Sequence, residues 1–440
     1  MDRGQRTRRG FLKGIAATAL TVGISYPGNV TTQSRFDTVV NAIAAGADPN
    51  GSERIDNVLE GYIDDDTLIE FPAGRYRLGS LDVGPVRNLG LRAKPEARVL
   101  FEPATPASDQ RSFITFEGIE DLLLNGLTFD FSRPGFGNTL RVIANGDFLA
   151  QDLRICGQLA DQDRTTPHVG FRFDVRDPDS TGVVRDVSAP DGGHQGGNGV
   201  GIFVGKNHAG TLRFENCTVA NFPNNGLYAS APGRSSRNYR GRDGVVHVRG
   251  GLYANNNIAN VRLGSTGSTA YGVTVRVDSV PPYPSLEKLN VRGIRLRAQS
   301  GQFISDCDIT ITSDAGPGFG AIVYHPDHDS STVRNTTIHV DKDEYNAVRA
   351  VSGDSGGTGG PLTLQNVSVT GDAAGGAAVV IADRDRTVLR DCVIEQSGAG
   401  RDGIRFTSAN ECLITDSTIQ VPGEPLSLID SSVRKVRLTV

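Results

Sequence analysis

An all-β, single-chain parallel β-helix of about 10–12 stacked coils is what this 440-residue sequence predicts, on three observations. The pattern apolar, any, Asn/Asp/Gly, any, any, apolar recurs from about residue 120 onward. Its spacing averages 29 residues over the ten steps from Gly126 to Asp416. The composition holds 54 glycines, no Trp and one Met, with Asn, Asp, Ser and Thr interleaved with single Val, Ile and Leu. A period of roughly 20–50 residues means a stacked array rather than independent domains. The composition suits short strands and tight turns and excludes long amphipathic helices.

The N-terminal segment, 1–30, is read as an export signal and linker. Thr7-Arg8-Arg9-Gly10-Phe11-Leu12-Lys13 resembles the twin-arginine signal, and a mildly apolar stretch follows from Gly14 to Ile24. That stretch is too short for a mature anchor, which needs roughly 20 residues. It implies a prokaryotic or archaeal protein secreted by twin-arginine export, with no stable membrane insertion. Net charge is −5, so nucleic acid is not the expected partner.

Residues 31–440 are read as one domain, with 31–80 as an N-terminal helical cap and 81–440 as coils. Asp48-Pro49-Asn50-Gly51-Ser52 leads into a short helical stretch that would cover the open end of the stack, and Phe71 to Tyr76 gives the first strand. The coil pattern is clear in Phe214-Glu215-Asn216-Cys217-Thr218-Val219 and in Val333-Arg334-Asn335-Thr336-Thr337-Ile338. It recurs with turn residues at Asp306, Asn366, Asp391 and Asp416, and more loosely at Asp152, Asp186 and Gly250. The gap from 250 to 306 leaves room for two coils. Asn, Asp and Gly tolerate the left-handed backbone of a sharp bend, and stacked asparagines can bond rung to rung. Cys217, Cys307 and Cys392 follow that bend and read as small core residues; no Cys/His metal spacing occurs.

A second strand precedes each of these, as in Gly226-Leu227-Tyr228-Ala229, Asn260-Val261-Arg262-Leu263 and Gly293-Ile294-Arg295-Leu296. Three strands per coil, with one tight turn and two variable loops, resembles the pectate-lyase-like superfamily from about residue 35 to the end. The resemblance implies a right-handed helix. It does not fix an activity, because that superfamily includes lyases, hydrolases, epimerases and binding proteins. The polygalacturonase motif set and the lyase motif built on Trp-Ile-Asp-His are both absent.

Alternation along the first strand of each coil gives an outward column: Arg172, Phe203, Tyr228, Arg262, Arg295, Val323, Arg349, Val380, Arg405. Neighbouring strands lie roughly 4.8 Å apart, so Arg262 and Arg295 become adjacent like charges costing on the order of 1 kcal/mol in water. Either flanking carboxylates such as Asp174 neutralise this column, or it is a track for a polyanion. Phe203 and Tyr228 would offer flat faces to sugar rings. Arg234, Arg237, Tyr239, Arg240 and Arg242 crowd the following loop against Asp243 alone. Asn225 and Asn257 stand just before column residues and either meet sugar hydroxyls or cap loops. The expected partner is an acidic polysaccharide and the expected state a monomer.

Elimination at a uronate requires the carboxylate neutralised, a base for the adjacent C–H and an acid for the leaving oxygen. Arginines or a bound calcium can do the first, and no other cofactor or metal site is expected. Tyr228, Arg262 and Arg295 are the leading catalytic set, with His325 of Tyr324-His325-Pro326-Asp327-His328-Asp329 as a second proton-handling group in line with Arg297. That hexapeptide has a scrambled likeness to the Asp-Pro-His-Asp motif of alginate C5-epimerases, so no roles are carried across. Substrate contacts are expected from Arg172, Phe203, Asn225, Arg234, Arg237, Tyr239, Arg240, Asn257, Arg297 and Arg349. The function so predicted is lyase-like β-elimination on a uronate polysaccharide. The alternatives are a non-catalytic glycan-binding protein, a glycoside hydrolase and a C5-epimerase.

Overall fold

The computed structural model describes residues 35–104, 112–133, 137–160, 168–236, 238–284, 289–351 and 359–440. The twin-arginine segment and Arg237 lie outside them. The described chain is a right-handed parallel β-helix whose coils each contribute a strand to up to three parallel stacks. In the first stack Leu227–Ala229 pairs with Val261–Leu263, which pairs with Val291–Leu296, then Gly318–Tyr324 and Asn346–Ala350.

The sharp bend between the second and third strands behaves as its residue types require. Gly126, Asp152, Asp186, Asn216, Gly250, Asp306, Asn335, Asn366, Asp391 and Asp416 all have φ between 49° and 73°. Gly272, at φ 62°, is the bend that fills the gap between Gly250 and Asp306. Among the described residues the first stack holds thirteen strands, from Leu81–Val83 to Leu426–Ile429, one beyond the expected range. The excess lies at the ends, where the bend falls on Glu96 (φ 60°) and Arg437 (φ 49°), residue types outside the pattern.

The asparagine ladder forms: Asn366 Nδ2 donates to Asn335 Oδ1 at 2.9 Å, and Asn335 Nδ2 to Asp306 Oδ1 at 3.2 Å. Asn366→Val is therefore expected to cost about 1–2 kcal/mol from the left-handed position alone. Denaturant unfolding measures it, and Asn366→Gly should cost less.

Besides a small cluster of Phe36, Leu68 and Leu123, the core of the described residues is one continuous cluster. At its N-terminal end Phe71, Phe101, Phe129, Phe171 and Phe173 pack in series, with centroids 5.1–6.2 Å apart. Farther on, Val, Ile and Leu take over, with Cys217, Cys307 and Cys392 buried among them. Burial pushes the Cys217 thiol to about 12 and those of Cys307 and Cys392 to about 11, which keeps them as unreactive core atoms. The N-terminal segment is less helical than expected. Its helix is the five residues Asp56–Glu60, anchored by buried Ile55 and Leu59, and Thr38–Asn41 and Thr67–Phe71 already belong to the second stack.

Candidate functional site

Strand register builds the column directly. Arg141 pairs with Arg172, Arg172 with Phe203, Phe203 with Tyr228, Tyr228 with Arg262 and Arg262 with Arg295. Arg295 then meets Val323, Val323 meets Arg349, Arg349 meets Val380 and Val380 meets Arg405. Every step keeps the same parity, so these side chains share the outer face of the first stack.

Their electrostatic surroundings differ along the column. Arg172 pairs with the buried carboxylate of Asp174 at 2.8 Å, and Arg141 with Glu117 at 3.2 Å. Arg405 meets Asp402 at 2.9 Å. Both ends of the track are thus neutralised by the protein itself. The centre is not. Among the described residues neither the Arg262 nor the Arg295 guanidinium has an ion pair or hydrogen bond, and the Nε of each is buried without a partner. Burial first, then the guanidinium groups of Arg262, Arg292 and Arg297, pull Arg295 down to about 8. Burial also lowers Arg262 to about 10, opposed by Tyr228, whose ring lies 4.3 Å beneath its guanidinium carbon. A cation–π contact is worth about 0.5–2 kcal/mol, too little to replace the lost hydration of two adjacent charges.

One step beyond Arg295 the chain leaves the sheet at His325. Its backbone N–H still bonds Leu296, keeping it in line with Arg297. His325 Nδ1 lies 2.5 Å from Asp327 Oδ1, and Asp327 accepts from Arg297 Nε and the Ala298 N–H, each at 3.0 Å. Burial raises the Asp327 carboxyl, but these bonds outweigh it and hold it well below the usual range. With Asp327 ionised, His325 donates from Nδ1 and leaves Nε2 with its lone pair. Burial lowers His325 against the pull of Asp327, so the ring is neutral at neutral pH. Arg384 fixes this loop from below: fully buried, it donates to the carbonyls of His325 (3.2 Å), His328 and Asp329 (both 3.0 Å) and Gly360 (3.1 Å). Arg384→Met would orphan those carbonyls, and a loss of about 3–5 kcal/mol is expected in denaturant unfolding.

The predicted catalytic set divides on this geometry. Tyr228 and the rung of His325 are three strand spacings apart, about 14 Å. They cannot serve the same bond, whereas Arg262 and Arg295 lie between them. Toward the N-terminus, Phe203 packs edge-on to Tyr228 at 5.2 Å with Arg172 over it at 5.5 Å. A cavity of about 340 Å³ lies here, lined by Arg141, Arg172, Phe203, Asn224 and Tyr228 among others. The loop after Tyr228 is built rather than loose. Ser235–Ser236 and Tyr239–Arg240 form an antiparallel hairpin, Arg234 covers Tyr239 at 4.6 Å, and Gln299 bonds Gly233 O at 3.0 Å. Arg240 is exposed on that hairpin.

Two predicted substrate contacts are corrected. Asn257 is buried, its amide donating to Pro223 O and accepting from the Asn290 N–H. Asn225 is 1% exposed and bonded to Asn224. Asn257 thus holds its loop by satisfying backbone groups that the coil leaves open, whereas among the described residues the Asn225 side chain meets only that of Asn224. His208 is buried as well, between Val175 N and Val245 O. Among the described residues no three His, Cys, Asp or Glu side chains come together as a metal site.

Two contributors are not legible in the sequence: Arg384 lies two coils away, and Arg292 shares the inward parity of Ile294. Asp327 is legible there as the partner of His325 in an acid/base pair or a metal site. Arg349 stands where expected, its Nη1 donating to Asn346 Oδ1 at 3.0 Å.

No family model and no curated protein matches the chain. Among solved structures it is similar to the Streptococcus pneumoniae surface protein and adhesin PfbA, at TM-score 0.49 and 9% identity over 91% of this chain and 100% of that one. It is also similar to the A-module of the Azotobacter vinelandii mannuronan C-5 epimerase AlgE6, at TM-score 0.46 and 13% identity over 91% and 99%. A GH87 α-1,3-glucanase catalytic unit from Streptomyces thermodiastaticus matches at TM-score 0.33 and 12% identity over 90% and 68%. The fold assignment rests on the strand pairing described above, and no role is carried over from these proteins.

Proposed function

We propose that the protein acts on an anionic, uronate-type polysaccharide laid over the first stack, by lyase-like elimination. One observation carries this reading: two adjacent arginines, Arg262 buried and Arg295 half-buried, stand without a carboxylate partner among the described residues beside a neutral histidine whose ring is oriented by an aspartate. A uronate carboxylate would supply the missing anion. Clamped by Arg262 and Arg295, it loses its charge and acidifies the neighbouring C5–H. His325 Nε2 takes that proton, the electron pair forms the C4–C5 double bond, the C4–O bond breaks and the leaving oxygen takes a proton from solvent or a nearby donor. Phe203 then offers the adjoining sugar a face, and Tyr228 a hydroxyl that has no partner among the described residues.

Hydrolysis fits less well. It needs a carboxylic acid held protonated opposite a second carboxylate, roughly 5–10 Å away. Hydrogen-bond and arginine partners hold Glu117 and Asp327 on this face below the usual carboxylate range, and Asp174 and Asp402 each already pair with an arginine. C5-epimerisation shares the proton abstraction and differs only in its outcome. A purely binding role is the second reading, favoured by the cavity beside Phe203 and Tyr228, which extends the face beyond any single reacting sugar.

The test is direct. Incubation with polygalacturonate or alginate is expected to raise ultraviolet absorbance from unsaturated ends; retention on those polymers without new ends would support the binding role instead. The rate is expected to fall as pH drops, because protonated His325 has no lone pair. With His325 lowered from 6.5, that acid limb should lie below pH 6.5 in a pH–rate profile. We place the protein outside the cell as a monomer, in line with its twin-arginine segment. Among the described residues no helix is long and apolar enough to cross a membrane.

A further inference from the structure

The first stack carries one irregularity beside the unneutralised arginines. Val291 pairs with Gly318 but Arg292 pairs with Gly320, so the later strand holds one extra residue, Phe319. Such a bulge re-aims a side chain and interrupts the ladder. Gly320 permits it: φ is 148°, and a Cβ there would stand 2.4 Å from the Asn346 carbonyl oxygen. The consequence is an aromatic ring where the core logic would bury one. Phe319 is 39% exposed, whereas the phenylalanines of the core series are fully enclosed.

Two cations lean on that ring. The Arg292 guanidinium carbon is 4.5 Å from its centroid and that of Arg349 is 5.4 Å away. Arg292 is held by the carbonyls of Ile258 and Asn290, both at 3.0 Å, and Arg349 by Asn346. Among the described residues neither meets a carboxylate, and the Arg292 Nε is buried without a partner. Burial, then Arg262, lowers Arg292 to about 10, which places it electrically in the same cluster as the central pair. An exposed ring set out by a bulge between two uncompensated guanidinium groups has no evident structural purpose.

We infer that Phe319, with Arg292 and Arg349, forms a second subsite that takes another anionic sugar unit of the same chain. The ring stacks on the apolar face of a pyranose, and the guanidinium groups pair with its carboxylate or sulfate. This rests on the polyanion reading above and adds to it that the bound ligand spans at least two charged units.

The test is calorimetric titration of the full protein with single sugar units and long oligomers of a polyuronate and of a sulfated glycan. The wild type should bind long oligomers more tightly than single sugar units, which fill only one subsite. Phe319→Ala is expected to weaken the long oligomers by about tenfold, the scale of one aromatic contact, and to erase the length preference. Phe319→Leu keeps the apolar bulk and should behave like the alanine variant; binding like wild type by both variants overturns the subsite alone. Binding of neither polymer class by the wild type overturns the polyanion reading itself. Length-dependent binding of the sulfated series only, lost in both variants, supports the subsite with sulfate as its anion and overturns the uronate.

Discussion

His325→Ala is expected to lower turnover of a uronate polymer by about 10²–10⁴-fold, the usual contribution of a positioned general base. Polymer affinity should change little, because the clamp that holds the carboxylate belongs to Arg262 and Arg295. The prediction separates the two proton-handling groups that the sequence suggests together. Tyr228 stands about 14 Å from the His325 rung. Tyr228→Phe is therefore expected to raise KM modestly while leaving most of kcat. Steady-state kinetics of the two variants decide it, and the reverse result moves the chemistry to Tyr228. Asp327→Asn adds a check. Its carboxylate raises the His325 pKa against burial, so its loss should move the acid limb of the pH–rate profile to lower pH and cost rate through a poorly held ring.

The second large effect is a trade between function and stability. Arg295→Ala is expected to reduce turnover by about 10²–10³-fold, as when one preorganised charge-stabilising group is removed. The unliganded protein should become no less stable. Two guanidinium groups on adjacent rungs repel by between about 1 and 4 kcal/mol, depending on how much water reaches them. Among the described residues no carboxylate pairs with either group, and Asp327, already paired with Arg297, offsets only part of the repulsion. Removing one charge relieves that repulsion. An anionic oligosaccharide should stabilise the wild type, since a ligand that binds only the folded state raises its apparent stability. Arg295→Ala should lose most of that gain. Thermal unfolding with and without polyuronate measures both; a large loss of stability in the unliganded variant would mean that Arg295 is a structural residue.

Much of this was legible in residue types. A bend that only Asn, Asp or Gly takes easily left a mark every coil, and the φ values at Asn216, Asp306, Asn335 and Asn366 show why. The outward column was legible too, because parity in a short strand is unforgiving: a shift of one residue would turn Arg262 into the apolar core and Val261 out of it. What could not be read was pairing across coils. Whether Arg172 faces Asp174 or solvent depends on χ angles, and Arg384 reaches the His325 loop from 59 residues away. Asn225 and Asn257 look like sugar ligands in sequence because the same amide suits a hydroxyl or a backbone carbonyl. Phe319 was hidden for another reason. A bulge breaks the period-two rule by which faces are assigned, and Gly318 and Gly320 signal it only after the register is known.

The central claim is that the unpaired arginines of the first stack bind an acidic glycan. Calorimetric titration of the wild type and Arg262→Ala with polyuronate, at low and raised salt, with a neutral glucan as control, tests it most directly. The account predicts polyuronate binding that weakens as salt rises and falls by tenfold or more in Arg262→Ala, a loss of about 1.4 kcal/mol or greater, with no neutral-glucan binding. No heat with polyuronate at low salt, or equal affinity for the neutral glucan, would contradict it.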